Sequence, residues 1–439
     1  MIVEAYQQFG HANAAWDEPA KRALTEFARH DANVILPDEP WEQIISTNCA
    51  AAIKAGCDDP LMRYLQILFC MSRETNGPVD FAVALNDAAL NMQKSSYPAA
   101  RKLYIAVSAV EQSFTTYGTN AETMPVVKEI SASIGPNLVA TIDDKTIPLE
   151  DVYTACNRGF EIFNWRHNDF AKVYSLIEPV LFTNWPDESV IWLIKGKAYG
   201  RMVWNAYDRR YFASVTPHGW KTNTVGWNVF SNNLAIAESS LNRAWELNHQ
   251  DARIAIEMME VKAGGGQSRD QMELWFDRAM KISPDNYEAC KTKLHYIGPF
   301  WYGSFQDTLD FGHECVQNTN WTGRVPLILA DARSDIYWEL PESEQTNYWK
   351  RPEVWHDIKT SYDRFFEINP GNTDVYSMYA WRAYQAEQWE TFLKLAPKIS
   401  PGDYGDFNNK EFFDKVVKYA KAVIRYNKKH GINTTAAQQ

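Results

Sequence analysis

The sequence predicts an all-α protein built from repeated pairs of helices. Three segments that resemble one another carry this prediction: NRAWELNHQD from Asn242, DRAMKISPDN from Asp277 and DRFFEINPGN from Asp363. The apolar residues of each copy are spaced so that they share one face of the last turns of a helix. In the second and third copies a proline follows directly, and it ends the helix because it has no backbone N–H to donate.

The distance between the copies predicts the length of the repeat. The first two copies begin 35 residues apart, and the second and third begin 86 apart, which leaves room for one degenerate unit with insertions. A period of about 34 residues is typical of arrays of paired helices. The Asp or Asn that follows each copy suits the N-cap of the next helix.

The first unit resembles the tetratricopeptide pattern W-x2-L-G-x2-Y…A-x3-F…P. Six residues occupy its helix positions: Trp192, Gly196, Tyr199, Ala237, Leu241 and Ala244. Lys195, Leu241 and His249 stand where the pattern has Leu, Phe and Pro. The resemblance implies a right-handed solenoid of antiparallel helix hairpins, whose role is binding and assembly and which carries no catalytic residues. The small Gly196 and Ala244 would let two helices approach closely.

A second resemblance covers roughly the second half of the chain. The combination RDQMELWFDRAM, SPDNYEACKTKL and WYGSFQDTLDFGHEC is similar to uncharacterised bacterial proteins with tetratricopeptide-like folds. It implies the same fold and no established activity.

The residue patterns along the whole chain predict its organisation. We expect an N-terminal helical region at 1–133, a linker at 134–151, a repeat array at 152–405 with an insertion at 200–234, a capping helix at 406–431 and a disordered tail at 432–439.

Composition excludes several classes of protein. The net charge of −11 argues against sequence-independent binding to nucleic acid, which needs basic surface to displace counterions. No apolar run approaches the roughly 20 residues that a membrane-spanning helix needs. The first residues lack the features of a signal peptide. A cytoplasmic location is the default expectation, and a secreted or periplasmic one applies if a signal peptide has been removed.

The six cysteines contain no CxxC motif, so zinc-ribbon and thioredoxin-like sites have no support. Cys49 with Cys70, and Cys290 with Cys315, would each approach one another across a helix pair. Buried free thiols are the favoured interpretation, and the sequence alone leaves either disulfide open.

A row of cations is the first candidate binding site. In this architecture the first helix of each unit lines the concave side, and the groove-facing positions hold Lys197, Arg201, Arg253, Lys291 and His295. Such a row would capture a carboxylate of a peptide or protein through charge-assisted hydrogen bonds, with Lys197, Arg201 and Lys291 as the main donors. The alternative is that these are scattered surface charges, some of them paired to nearby glutamates.

The insertion at 200–234 is the second candidate. It contains five residues that suit a sugar, a base or a peptide by stacking and hydrogen bonding: Trp204, Arg209, Arg210, Trp220 and Trp227. The alternative is that these aromatic rings fold back and fill the helix packing. A third segment, GPFWYGSF from Gly298, reads either as a hydrophobic lid or as an exposed patch.

Catalytic and metal sites have little support. Asp310, His313 and Glu314 would share one helical face, a geometry that could contribute metal ligands. Glu353 and His356 have the i, i+3 spacing of carboxylate-bridged metal sites, but no second set of ligands accompanies them. A cluster of paired surface residues is the favoured interpretation. The sequence therefore favours a non-enzymatic scaffold that binds a protein or peptide in the groove and needs no cofactor or metal. The alternatives are a carbohydrate or small-ligand binding protein that uses the insertion and, third, an enzyme of unknown class. Oligomeric state is left open.

Overall fold

The computed structural model describes residues 2–31, 40–71, 73–165, 170–205, 224–264, 268–399 and 404–431. All regular secondary structure in these ranges is helical, so the prediction of an all-α chain is confirmed. The chain divides into two compact units, Met1–Asn248 and His249–Gln439. This division falls inside the predicted array at 152–405.

Unit 1 contains eleven α-helices within the described ranges. They are α1 (Ile2–Phe9), α2 (Asp17–Asp31), α3 (Trp41–Lys54), α4 (Pro60–Cys70), α5 (Arg73–Lys94), α6 (Ala99–Tyr117), α7 (Pro125–Asp143), α8 (Leu149–Trp165), α9 (Phe170–Asn184), α10 (Ser189–Asn205) and α11 (Thr224–Leu247).

Unit 2 contains ten α-helices within the described ranges. They are α12 (Ala252–Gly264), α13 (Arg269–Ile282), α14 (Tyr287–Tyr296), α15 (Phe305–Gln317), α16 (Ile328–Glu339), α17 (Glu342–Gln345), α18 (Pro352–Ile368), α19 (Tyr376–Gln385), α20 (Trp389–Leu395) and α21 (Lys410–His430). In the described part of the chain, no helix combines the length and the hydrophobicity that crossing a bilayer requires.

The three similar segments form the ends of α11, α13 and α18. These helices stop at Leu247, Ile282 and Ile368, which is the same position in each copy. Four equivalent positions, spaced i, i+3, i+4 and i+7, are buried in every copy. They hold Ala237, Ser240, Leu241 and Ala244 in α11; Met272, Trp275, Phe276 and Ala279 in α13; and Ile358, Ser361, Tyr362 and Phe365 in α18. The shared sequence pattern is therefore a shared pattern of burial.

The connections after these helices also follow from the sequence. In the second copy, the side chain of Asn286 accepts a hydrogen bond from the Ala289 N–H at 2.9 Å and so caps α14. In the first copy, Asp251 accepts from the N–H of Arg253 at the start of α12, at 3.0 Å. A short polar turn therefore joins each helix to the next.

Gly196 lets α10 and α11 pack at close range. A Cβ built on this glycine would lie 2.5 Å from Cγ of Leu241 and 3.3 Å from the carbonyl oxygen of Ala237. Both distances are below ordinary van der Waals contact, so only glycine fits between the two helices. The role expected for Gly196 is confirmed.

Asp59 joins the first helices of unit 1. Its fully buried carboxylate accepts hydrogen bonds from the N–H groups of Leu61 and Met62 at the start of α4. It also accepts from the Tyr97 hydroxyl, at 3.0 Å, and from the His11 N–H, at 2.8 Å. One helix cap therefore also holds the chain that leads from α1 to α2 and the chain that leads into α6.

The expected linker at 134–151 is largely wrong, because α7 continues to Asp143 and α8 begins at Leu149. Ile134, Leu138 and Ile142 are buried and lie four residues apart on one face of α7. Pro136 lies inside this helix. A proline removes one backbone hydrogen bond at a cost of about 3 kcal/mol, and the burial of this face compensates for that loss. Only 144–148 connects the two helices.

The expected capping helix is present as α21. The side chain of Asn409 accepts a hydrogen bond from the Phe412 N–H at 2.9 Å and caps its start. Gly431 ends it in the left-handed conformation, with φ of 64°, which glycine adopts without strain. Buried residues of this helix include Phe413, Val416 and Ala420. The expected tail at 432–439 lies outside the described residues.

Gly196→Ala tests the close packing of α10 and α11. We expect it to lower the free energy of unfolding by about 1–3 kcal/mol, because the added methyl group overlaps Leu241. Urea-induced unfolding followed by circular dichroism measures the change.

Gly200→Ala is the matched control on the same helix. A Cβ there meets nothing within 4 Å. Since alanine also restricts the unfolded chain, this control should be neutral or stabilising by up to about 1 kcal/mol. Equal stability of the two variants would contradict the packing described here.

Candidate functional site

The strongest candidate site in unit 2 is a polar face formed by α14, α16 and α19. Six side chains make up this polar face: Tyr287, Lys291, Asp331, Ser334, Asp335 and Arg382. Helices α14 and α16 each contribute residues one turn apart, because side chains at i and i+4 share a face, and α19 contributes Arg382. Hydrogen bonds and ionic interactions join the helices across this surface.

Asp331 and Tyr287 form the link between α16 and α14. The Tyr287 hydroxyl donates to Oδ2 of Asp331. Burial raises the pKa of the Asp331 carboxyl, while the hydrogen bond from Tyr287 and the charges of Lys291 and Arg324 act in the opposite direction. Burial, followed by the charge of Asp331, raises the pKa of Tyr287 as well. The hydroxyl therefore keeps its proton and remains a donor at neutral pH.

Arg382 links α19 to α16. Its Nη2 donates to Oγ of Ser334 at 2.9 Å, and its Nη1 donates to Oε1 of Gln385 at 2.7 Å. The guanidinium carbon lies 4.0 Å from the centre of the Trp349 ring, in a cation–π contact. Burial lowers the pKa of Arg382. These contacts hold the side chain in one position on the polar face.

Along α16 an acidic row continues the polar face toward the end of the helix. We define this acidic row as Asp331, Asp335 and Glu339, which lie four residues apart. Part of the Asp335 side chain is open to solvent, yet loss of water around its carboxyl group raises its pKa to about 6. The negative charges of Asp331 and Glu339 add to this shift, and Lys291 on α14 opposes it. Like charges at this spacing destabilise a helix.

Trp338 lies on the same side of α16, three residues after Asp335 and next to Glu339. Its side chain is 73% exposed, which is more than any other large hydrophobic residue in the described part of the chain. Tyr337, its neighbour, instead packs on Tyr348 and Trp349, at 5.8 and 5.1 Å between ring centres. An exposed tryptophan beside carboxylates is a surface that a cationic or apolar partner group can cover.

The segment GPFWYGSF follows α14 and lies beyond His295. The Trp301 ring packs on Tyr296 at 4.9 Å and on His295 at 5.7 Å, and the Tyr302 hydroxyl donates to the Ala263 carbonyl at 2.5 Å. These two side chains therefore pack back as a lid, whereas Phe300 is 66% exposed. Loss of water around the imidazole lowers the pKa of His295, although part of the residue remains exposed.

The predicted cations do not form an isolated positive row. Lys291 lies beside the carboxylates of α16, and His295 lies beside Trp301. On α12, Arg253 pairs with Asp251 at 2.6 Å. In unit 1, Arg201 pairs with Glu161 at 3.6 Å, and Lys197 lies 6.0 Å from the centre of the Tyr153 ring.

The residues predicted in the insertion cannot be placed on this face. Arg209, Arg210 and Trp220 lie outside the described residues, as do the side chains of Trp204 and Trp227. Helix α10 continues to Asn205, and α11 begins at Thr224. The described parts of the predicted insertion, 200–205 and 224–234, are therefore helical.

Other clusters have weaker geometry. Asp310, His313 and Glu314 line an open depression of about 390 Å³, and His313 Nε2 lies 3.5 Å from Asp357, which also pairs with Arg333. Among the described residues, no three His, Cys, Asp or Glu side chains are grouped as metal ligands. All six cysteines are free thiols, and only Cys70 is exposed.

Comparison with known proteins does not place the chain in a family. No protein-family model matches it, and no curated protein shows significant similarity to it.

Sequence reasoning missed Asp331, Asp335, Trp338 and Arg382. One signal was visible: carboxylates recur every four residues through LADARSDIYWEL, and a tryptophan lies on the same helical side. A tryptophan in a repeat array is more often core, which is why its position gave no prediction.

Asp335→Asn tests the electrostatics of the acidic row. A carboxyl group whose pKa is raised by folding favours the folded state only while it is protonated. Its contribution is therefore lost as the pH rises from about 4 to 6. We expect the substitution to stabilise the protein at pH 7.5 by about 1 kcal/mol, allowing for solvent screening, and to have little effect at pH 4.5.

Thermal unfolding at the two pH values measures this difference. Glu390→Gln, at an exposed position on α20, is the control and should change neither value. A loss of stability at pH 7.5 on replacing Asp335 would contradict the conclusion that its charged carboxylate is unfavourable in the folded protein.

Proposed function

We propose that this chain is a non-enzymatic scaffold that binds a protein or peptide segment on the polar face of unit 2, within a tetratricopeptide-like array. The packing pattern supports the array. Helix α12 packs on α13 and α14, and α14 packs in turn on α16. Contact with sequence neighbours and with the next unit is what a stack of helix pairs requires.

The observation that carries the proposal is the exposure of Trp338 beside the acidic row. Interfaces obtain most of their binding energy from a few aromatic or arginine side chains that become fully buried on binding. Trp338 has large apolar area and is open to solvent, and the neighbouring backbone is a regular helix. A partner that covers it gains this area without reorganising the scaffold.

The charges of the polar face indicate which partner groups it would favour. Glu339 makes no ion pair within the described residues, and Asp335 has only the charge of Lys291 nearby to oppose its own. A lysine or arginine of the partner would relieve their repulsion and also contact the indole of Trp338. Carboxylate capture by Lys197, Arg201 and Lys291 has less support, because Lys291 is accompanied by Asp331 and Asp335 and Arg201 by Glu161.

Trp338→Ala tests this function. Peptides selected from a random displayed library on the purified full chain should be enriched in lysine or arginine together with an apolar residue. Their affinity, measured by titration calorimetry, should fall at least about tenfold in the variant, as expected for a central aromatic contact.

Leu274→Ala is the matched control, since Leu274 is another exposed apolar residue and lies on α13, outside the polar face. It should leave the affinity unchanged. Selection that enriches no peptide, or binding that persists without the indole, would remove the proposed function.

A further inference from the structure

The C-terminal helix α21 carries a positive charge that contrasts with the rest of the chain. It holds seven Lys or Arg residues and two acidic ones, and no acidic residue follows Asp414. Five of the cations form no ion pair within the described residues: Lys418, Lys421, Arg425, Lys428 and Lys429. Because the whole chain has a net charge of −11, the remainder of the protein is more acidic still.

One side of α21 also carries three aromatic side chains with large exposed area, although Phe412 contacts Tyr384 and Tyr419 contacts Trp389. Phe412, Tyr419 and Tyr426 lie seven residues apart, so they share one side of the helix. Their exposed fractions are 36%, 58% and 58%. Along the described helix, no residue after Ala420 is buried. Helix α21 packs chiefly on α20 and on the turn at 405–407, and its last ten residues are exposed or only partly buried.

These two features restrict what can cover the helix end. Two copies of α21 packed against each other would bring like charges together, which disfavours a symmetric contact. An acidic surface with an exposed apolar group is complementary in both respects. The acidic row of α16 with Trp338 is such a surface, and every copy of the chain carries it.

We propose that the second half of α21 docks on the acidic row and Trp338 of a second copy of this chain. Arg425 and Lys429 would face Asp335 and Glu339, since they share the i, i+4 spacing of these carboxylates, and the adjoining side of α21 with Tyr426 would cover the indole. This inference rests on the docking function proposed above, and it names the partner. The contact joins two different surfaces, so it links molecules head to tail and leaves a free surface at each end.

Charge reversal on each surface tests this contact in the full-length protein. One variant carries Arg425→Glu and Lys429→Glu, and a second carries Asp335→Lys and Glu339→Lys. We expect the wild-type protein to self-associate in sedimentation velocity as its concentration rises, and to do so less at high salt. Each variant alone should be monomeric, with an apparent dissociation constant raised about tenfold or more.

An equimolar mixture of the two variants is the decisive sample. It restores the wild-type pairing on one side and a charge-swapped pairing on the other, so it should associate although neither variant does so alone. A control carrying Lys128→Glu and Lys281→Glu has the same change in net charge as the α21 variant, but at exposed positions elsewhere. It should behave like wild type. Circular dichroism confirms that each variant is folded.

Three outcomes would overturn the proposal. They are a wild-type protein that stays monomeric at its highest soluble concentration, variants that associate on their own, and a mixture that does not associate. Library peptides that bind at Trp338 while the full chain stays monomeric would leave the docking function standing and remove only the second copy as its partner. Association that depends on α21 but not on Asp335 would place the acidic partner surface elsewhere.

Discussion

Close contact between paired helices is the constraint on which the rest of the structure depends. Gly196 marks its limit, because even one methyl group there would enter the space of Leu241. Gly312 on α15 is a second case, since a Cβ there would lie 2.9 Å from Cα of Leu329. Where backbones approach this closely, side chains on the following turns interlock at fixed heights. The contact of Gly312 with Leu329 places α16, which carries Asp331, Ser334 and Asp335 of the polar face, against α15.

The polar face is held by partly buried groups whose interactions restrict each other. Arg382 is held between Trp349 and Ser334, and Tyr287 holds Asp331 across the helix boundary. Charges that are partly removed from water stabilise a fold less than apolar packing would, but removing one partner leaves the other without its compensating contact. They therefore fix the positions of α14, α16 and α19 relative to one another. The strain that remains falls on Asp335, which has no such partner and is at the surface.

The sequence predicted the parts of the fold that depend on local pattern. The ends of α11, α13 and α18 and their buried positions follow from apolar spacing and the residues after each copy. The segment at 134–151 was misjudged because Pro136 suggested a break, although the spacing of its apolar residues was already helical. The polar face was beyond local pattern, since Lys291 meets Asp331 and Asp335 only through packing of α14 on α16. Lys291 and Asp331 are 40 positions apart in the sequence, and the fold brings their charges together.

Helix α21 illustrates how one amphipathic pattern can serve two environments. As far as Ala420 its apolar side packs into the core of unit 2. Beyond that residue the apolar pattern continues, with Val423 and Ile424 only partly buried. Four exposed Lys or Arg residues and the exposed Tyr426 lie beyond Ala420, and a helix needed only as a cap would gain nothing from them. Extended helix beyond the core contributes little to folding, because it buries little surface. Its sequence is therefore better explained by a partner that supplies the missing acidic and apolar contacts than by the stability of the unit itself.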